Sequence, residues 1–182
     1  MITTDEGHTG SLTTVTFGTK IPTFLNAQGQ PSDRPGLFLG QNQLKTVDMS
    51  RCENTTISAG LFDGLTALET IIFPTGLTEI GDNAFTNCSG LTSLEFPDSL
   101  TKIGNSAFSG CTGLTYISYG SGINDIGVNA FSGCTSVRVI DLHRATNNDE
   151  LYYNGANNGD QALTHACIQA AKYVKYYLRT VN

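Results

Sequence analysis

Three cysteines occur at a fixed interval of 23 residues, at Cys88, Cys111 and Cys134. Thiols stacked in this way could bind a metal ion or form a disulfide, but free cysteine also serves as a small buried hydrophobe. Zinc sites are built from paired short spacings such as C-x2-C, and the sequence contains none. Five cysteines in all form an odd set, which argues against a complete disulfide framework. We therefore interpret the three cysteines as reduced core residues and predict no metal site.

His165 and Cys167 are the pair that comes nearest to a base and a nucleophile. On a helix, residues two apart do not face each other, and Cys167 lies on an apolar stripe while His165 lies off it. The sequence has no glycine-rich phosphate loop, no G-x-S-x-G and no H-E-x-x-H. We predict that the protein is not an enzyme and that it has neither catalytic residues nor a cofactor.

A segment rich in asparagine and aspartate, residues 147–160, offers oxygen atoms that could ligate calcium. The oxygen-bearing side chains are those of Asn147, Asn148, Asp149, Glu150, Asn157, Asn158 and Asp160. Their spacing does not match an EF-hand loop, and ordinary turn chemistry also explains them. Whether the loop binds calcium stays open at the level of sequence.

The overall charge and hydropathy exclude two classes of partner. The formal net charge is −6 and the isoelectric point is near 4.8, whereas a nucleic-acid footprint needs a basic face. No run of 18 apolar residues occurs, so the sequence predicts no membrane span. No signal peptide is visible at Met1–Gly10, which for a surface protein would fit a mature fragment or an added Met1.

The period of 23 residues extends well beyond cysteine. Phenylalanine follows it at Phe62, Phe85, Phe108 and Phe131, and glycine follows it at residues 81, 104 and 127. A fixed period of this length with leucine-like anchors is typical of a leucine-rich-repeat solenoid. The regular units span residues 68–90, 91–113 and 114–136, and a weaker unit spans 44–67.

These units share the pattern Ile-Gly-x-x-Ala-Phe-x-x-Cys, which appears three times at one period. The pattern resembles the BspA-like leucine-rich repeat, closely over residues 68–136 and more weakly over 44–67. The resemblance implies a bacterial surface protein, because members of that family are found mostly on bacterial surfaces and are associated with adhesion to host proteins.

Alternation of apolar and polar residues predicts one short strand in each repeat. We expect strands near 15–17, 47–49, 71–73, 94–96, 117–119 and 139–142, stacked into a single parallel sheet. Leu100 and Ile103 should return an apolar edge to the core. Gly104 is expected to adopt a backbone angle that other residues resist.

The outward positions of these strands form two columns. The first column is Thr14, Thr46, Thr70, Ser93, Tyr116 and Val139, and the second is Thr16, Asp48, Ile72, Glu95, Ser118 and Asp141. A solvated sheet face with β-favouring threonines would also explain this composition. As candidate partner-binding residues we select Asp48, Ile72, Glu95, Tyr116, Ser118 and Asp141.

The end of the chain carries an apolar stripe at helical spacing that includes Leu163, Ala170 and Val174. It predicts a helix over 161–178 that caps the open end of the solenoid. The predicted fold is thus an α/β leucine-rich-repeat solenoid of short parallel strands with a C-terminal capping helix. The whole chain, 1–182, forms one domain: a degenerate first rung with an insertion (1–43), repeats (44–136), a last strand and loop (137–160) and the cap.

The function expected from these features is binding rather than catalysis. The partner would be a protein or glycan, held on the outward face of the sheet by a cell-surface adhesion or recognition domain. The alternatives are an intracellular, cytoplasmic interaction scaffold and a structural spacer without separable activity.

Overall fold

The structure, a computed structural model, describes residues 12–20, 38 and 41–141 and the backbone of 173–175. Its secondary structure consists of short strands joined by turns, and no helix occurs in these residues. One set of strands is β1 (Thr14–Thr16), β2 (Thr46–Asp48), β4 (Thr70–Ile72), β6 (Ser93–Glu95), β8 (Tyr116–Ser118), β10 (Val139–Asp141) and β11 (Tyr173–Lys175). The second set is β3 (Thr56–Ile57), β5 (Glu79–Ile80), β7 (Lys102–Ile103) and β9 (Asp125–Ile126).

Every strand pairs in parallel with a strand of a neighbouring repeat. Between regular repeats the register advances by one period, so that Ser93 lies beside Tyr116 and Tyr116 lies beside Val139. Middle residues such as Leu94 and Ile117 point into the core, and the residues on either side of them point outward. The predicted leucine-rich-repeat solenoid is confirmed, with strand bounds within about one residue of those expected.

The first set of strands is divided into two sheets rather than one. The orders are β1-β2-β4 and β6-β8-β10-β11, and the expectation of a single sheet is therefore wrong. The interruption between β4 and β6 is tolerated because the two repeats stay stacked by other contacts. β5 pairs with β7, and the Phe73 and Phe96 rings stack with their centroids 5.5 Å apart.

The second set forms a sheet of its own, in the order β3-β5-β7-β9. Its strands have two residues each, one of them an inward isoleucine such as Ile80 or Ile103. Sequence reasoning predicted the apolar edge but not the strand. Two residues are too few to show alternation.

The capping helix predicted over 161–178 is not confirmed. Three of its residues, Tyr173–Lys175, form β11, which pairs in parallel with β10 and places Val174 beside Ile140. At these positions the prediction is corrected: β10 presented unpaired backbone groups, and a strand satisfies such an edge by hydrogen bonds that a helix cannot supply. The rest of 161–178, the insertion near 26–35 and the loop 147–160 lie outside the described residues.

The core is a stack of aromatic rings that runs through the repeats. Near-parallel stacking joins Phe38, Phe62, Phe85, Phe108 and Phe131, at centroid distances of 5.0–5.4 Å. A second column contains Phe73, Phe96 and Tyr119, whose rings meet the first column edge to face. Both arrangements are favourable for the quadrupoles of aromatic rings. Each 23-residue repeat therefore adds the same stabilising ring contacts as well as the same backbone path.

The recurring glycines at 81, 104 and 127 are required by space. A Cβ built on Gly104 would lie 2.6 Å from the backbone nitrogen of Asp82 and 2.7 Å from the carbonyl carbon of Gly81. The backbone angle of Gly104 is not in the left-handed region, so the expectation of an unusual angle was wrong. Glycine recurs here because the backbones of adjacent repeats approach closely.

Left-handed backbone occurs instead two residues after these glycines. The equivalent positions are Gly60, Asn83, Ser106 and Asn129, at φ of 62°, 56°, 52° and 56°. Asparagine tolerates this conformation better than serine, and β-branched residues resist it. Ser106→Asn is therefore expected to raise the free energy of unfolding by about 0.5 kcal/mol. Ser106→Val should lower it by about 1–2 kcal/mol. Both are measured by urea unfolding.

A matched control is Ser109, which has no left-handed backbone angle. Ser109→Val should change stability by less than about 0.5 kcal/mol. Equal effects at the two serines would show that the backbone angle of Ser106 does not limit stability.

Candidate functional site

The outward face of the first set of strands, which we call the strand face, carries all six candidate partner-binding residues. β2 places Asp48, β4 places Ile72, β6 places Glu95, β8 places Tyr116 and Ser118, and β10 places Asp141. Because the inward middle residue of each strand is fixed in the core, its two neighbours must point away from the core. The face is therefore built on a rigid support.

Ile72 is the most exposed large apolar side chain in the described part of the chain, at 42%. It occupies the last position of β4, next to the interruption between β4 and β6. A β-branched residue suits a strand, but its exposure in a polar column serves no packing purpose. Such a residue can anchor a partner, because burial of an apolar side chain at an interface is favourable.

Tyr116, Ser118 and Asp141 form one group. The Tyr116 hydroxyl donates a hydrogen bond to Oδ2 of Asp141 at 3.1 Å. Ser118 lies on the same strand as Tyr116, directly beside Asp141 in the register, and is only 7% exposed, so it differs from the prediction that it faces solvent. The Tyr116 side chain reaches from β8 to Asp141 on β10. Because Ser118 is buried, a partner cannot contact it directly.

The electrostatic surroundings of the Tyr116 hydroxyl are acidic. Partial burial raises its pKa, the Ser118 hydroxyl opposes that shift, and the Asp141 and Glu95 carboxylates raise the pKa further. The phenol therefore stays protonated and continues to donate to Asp141 at neutral pH. Glu95 is exposed and lies beside Ser118 in the register, on the side opposite Asp141.

The remaining charges of the strand face are mostly engaged. Lys45 Nζ contacts Oε1 of Glu69 at 2.8 Å, and the Asp48 carboxylate accepts a hydrogen bond from the Ser50 amide at 2.8 Å. The backbone register places Lys175 of β11 beside Asp141. Neither of the two ion pairs found within the described residues includes Glu95.

The cysteine column lies in the core and away from this face. Cys88, Cys111 and Cys134 are fully buried and free of disulfides, as predicted. Each Sγ donates to a backbone carbonyl of the preceding repeat: to Phe62 at 3.1 Å, Phe85 at 3.3 Å and Phe108 at 3.2 Å, respectively. The thiols therefore join adjacent repeats.

Thiol reactivity should be low in the native protein. Desolvation raises the pKa of Cys88 to about 12, and contact with the Cys111 thiol together with burial raises the pKa of Cys134. At pH 8 the thiolate fraction of Cys88 is then about a thousandfold below that of an ordinary thiol. Iodoacetamide should label the column slowly in the native state and completely in denaturant, as read by mass spectrometry. Fast native labelling of all three residues would contradict this assignment.

The described residues offer few candidate groups for the metal, catalytic and membrane features considered from the sequence. They contain no group of three or more histidine, cysteine, aspartate or glutamate side chains able to hold a metal ion. His165, Cys167 and the calcium candidates at 147–160 lie outside them. The described residues contain no helix long and apolar enough to cross a membrane.

The second sheet carries a polar row that sequence reasoning missed. Its outward positions are Thr56, Glu79, Lys102 and Asp125, and Lys102 Nζ contacts Oε1 of Glu79 at 2.9 Å. The side-chain hydrogen bond to Glu79 is the main cause that raises the pKa of Lys102. The sequence did contain a signal for this row, because negative and positive residues alternate at intervals of 23 residues in Glu79, Lys102 and Asp125. This alternation indicates that the charges neutralise one another and does not indicate a binding surface.

The pattern of the repeats identifies the family. The family model described as "BspA type Leucine rich repeat region" matches residues 35–157, in six copies. The chain belongs to the BspA-type leucine-rich-repeat family. Leucine-rich-repeat domains are generally protein-interaction modules and are typically non-catalytic. None of the curated proteins compared with the chain matches it.

Solved structures agree with this assignment. A leucine-rich repeat protein from Bacteroides ovatus is 26% identical with a TM-score of 0.57, and the match covers 71% of this chain and 30% of that one. A leucine-rich repeat protein from T. pallidum is 30% identical with a TM-score of 0.59, and the match covers 72% of this chain and 59% of that one. The chain thus spans less than two thirds of either relative.

Proposed function

We propose that this BspA-type domain is a non-enzymatic binding module that recognises a protein or glycan partner with its strand face. The observation that carries the proposal is Ile72, a large apolar residue held exposed in the middle of a rigid, otherwise polar face. Tyr116, half-buried two repeats further, supplies a second anchor of the type enriched at binding hot spots.

The strand face is suited to binding for a further physical reason. Its backbone is fixed by parallel pairing and by a continuous core, so a partner would not have to order it on binding. Members of the family are typically bacterial surface proteins, and we propose adhesion or recognition at a bacterial cell surface. An intracellular scaffold would use the same face, whereas a structural spacer would need none of its exposed residues.

The test is a binding screen of the chain against immobilised extracellular matrix proteins, followed by variants of the strand face. Ile72→Ser and Tyr116→Ala should each weaken binding about fivefold or more, because truncated hot-spot residues typically cost over 1 kcal/mol. Thermal unfolding checks that the Ile72→Ser variant stays folded, since Ile72 makes little core contact.

Val128 provides the matched control. It is an apolar residue of similar exposure, 37%, but it lies in a turn after β9 rather than on the strand face. Val128→Ser should leave affinity unchanged. A partner that binds with undiminished affinity to both strand-face variants would exclude this face, and loss of folding in Ile72→Ser would show that Ile72 is a core residue instead.

A further inference from the structure

The carboxylates of the strand face are not distributed evenly. In the second outward column, Asp48, Glu95 and Asp141 occupy every second repeat from β2 to β10. The two basic residues beside these strands are Lys45 and Arg138, and each precedes its strand by one residue. Lys45 is paired with Glu69. The two basic residues therefore lie beside β2 and β10, and none directly precedes β4, β6 or β8, the strands that carry Ile72, Glu95 and Tyr116.

Tyr116 lies in the first outward column, next to the second column that carries these carboxylates. Glu95 and Asp141 flank it from β6 and β10, which lie two strands apart, or about 9.6 Å. The hydrogen bond to Asp141 restrains the phenol, which lies over the strand between the two carboxylates. An aromatic ring fixed beside carboxylates presents both components of a cation site: the electron-rich face and the compensating negative charge.

The two carboxylates differ in how far they are already engaged. Asp141 accepts the Tyr116 hydrogen bond and has Lys175 beside it in the register. Glu95 has Ser118 beside it in the register and Ile72 at the equivalent position of the preceding strand, and it is exposed. A cation brought by a partner would therefore meet Glu95 first, and Ile72 offers an apolar surface one repeat away in the same column, across the interruption between β4 and β6.

We infer that the partner of the strand face is a basic protein segment, whose arginine stacks on Tyr116 beside Glu95 while an apolar residue covers Ile72. Arginine fits better than lysine because its planar guanidinium stacks on a ring and forks onto a carboxylate at the same time. Anionic polysaccharides are disfavoured, because three carboxylates along one column would repel them. The inference rests on the proposed function, since it describes the partner of the same face.

The experiment uses a phage-displayed library of random 12-residue peptides, selected on the full chain and counter-selected on the double variant Ile72→Ser/Tyr116→Ala. The peptides that depend on the strand face should be enriched in arginine with a neighbouring apolar residue. Synthetic peptides from the selection are then titrated by calorimetry against the wild-type chain and its variants.

Glu95→Gln should weaken these peptides about three- to fivefold, the effect of removing one exposed ion pair. Asp125→Asn, the same loss of charge on the second sheet, should not change their affinity. Tyr116→Phe should retain most of the affinity and Tyr116→Ala should lose it, because the ring stacks on the cation. Replacing the peptide arginine with citrulline, which is neutral and similar in shape, should weaken binding at least as much as Glu95→Gln does, because it removes both the ion pair and the cation over the Tyr116 ring.

The other outcomes separate the two proposals. Face-dependent peptides that lack basic residues, or whose affinity Glu95→Gln leaves unchanged, would overturn the basic partner and leave the proposed function standing. If no selected peptide depended on the strand face, the basic partner would be overturned, and the proposed function would be overturned only if the strand-face variants also bound matrix proteins with undiminished affinity.

Discussion

Phe108→Ala is expected to lower the free energy of unfolding by about 3–5 kcal/mol, the range for a buried aromatic truncated in a core. The ring is fully buried and stacks on Phe85 at 5.1 Å and on Phe131 at 5.3 Å, with interplanar angles of 2° and 6°. It also meets Phe96 at 5.6 Å. Removal leaves a cavity between repeats whose backbones are tied together on either side, so collapse is restricted.

Urea unfolding followed by circular dichroism measures this loss. Phe108→Leu keeps much of the volume and should cost less than alanine, because cavity size sets part of the penalty. Val128→Ala, at an exposed position, should stay within about 0.5 kcal/mol of the wild type. A loss below about 1 kcal/mol at Phe108 would mean that the ring does not fill the interior.

The interior of this solenoid could be predicted because one residue type repeats at each core position. Phe62, Phe85, Phe108 and Phe131 are all fully buried, and so is the cysteine column. Because the period is fixed, a side chain that is inferred to be buried in one repeat is also expected to be buried at the equivalent position of the other repeats. Phe17, in the degenerate first rung, is buried as well.

Elements without such a period could not be predicted as well. Tyr173–Lys175 belongs to a segment whose apolar residues recur at helical spacing, yet it pairs with β10. Periodicity describes a segment in isolation, whereas an exposed strand edge offers hydrogen bonds that outweigh this preference. The interruption between β4 and β6 had no signal either, because Thr70–Ile72 reads like every other strand.

At the candidate site, sequence indicated which residues point outward but not how far each is exposed. The alternation placed Ile72 and Ser118 at equivalent positions, yet one is 42% exposed and the other 7%. Tyr116 lies two residues before Ser118 on the same strand, and its hydroxyl contacts both Ser118 and Asp141, whereas Ile72 has no such neighbour on its own strand. Contacts between side chains of different repeats depend on rotamers, and a sequence pattern does not contain them.

The recurring glycines at 81, 104 and 127 are a second case in which the sequence pattern does not reveal contacts between repeats. The sequence predicted that Gly104 adopts a backbone angle that other residues resist, whereas in the structure the backbone of the neighbouring repeat leaves no space for a side chain. Backbone conformation and close approach both select glycine and leave the same trace in a repeat. An alanine substitution distinguishes the two causes. Where backbone conformation selects glycine, alanine causes local strain; where close approach selects it, the added methyl group forces two repeats apart.

Gly104→Ala is therefore expected to destabilise the protein by about 1–3 kcal/mol or more, the cost of inserting a methyl group into a closely packed site. The added Cβ would meet the backbone of Gly81 and Asp82, which cannot rotate away as a side chain could. The hydrogen bond from the Gly104 amide to the Ile80 carbonyl, 2.7 Å long, fixes the separation of the two repeats at this point. Separation of the repeats would weaken it together with the β5–β7 pairing.

Gly76→Ala is the matched control. A Cβ at Gly76 would meet nothing within 4 Å, and the backbone angle there is outside the left-handed region. Alanine should then be neutral or should stabilise by about 0.4–1 kcal/mol, because it reduces the entropy of the unfolded chain. Both variants are measured by urea unfolding, with hydrogen exchange at the amides of Ile80 and Gly104 as a local readout. If Gly104→Ala were as stable as Gly76→Ala, the close approach of adjacent repeats would not explain the glycine, because a methyl group would fit between them.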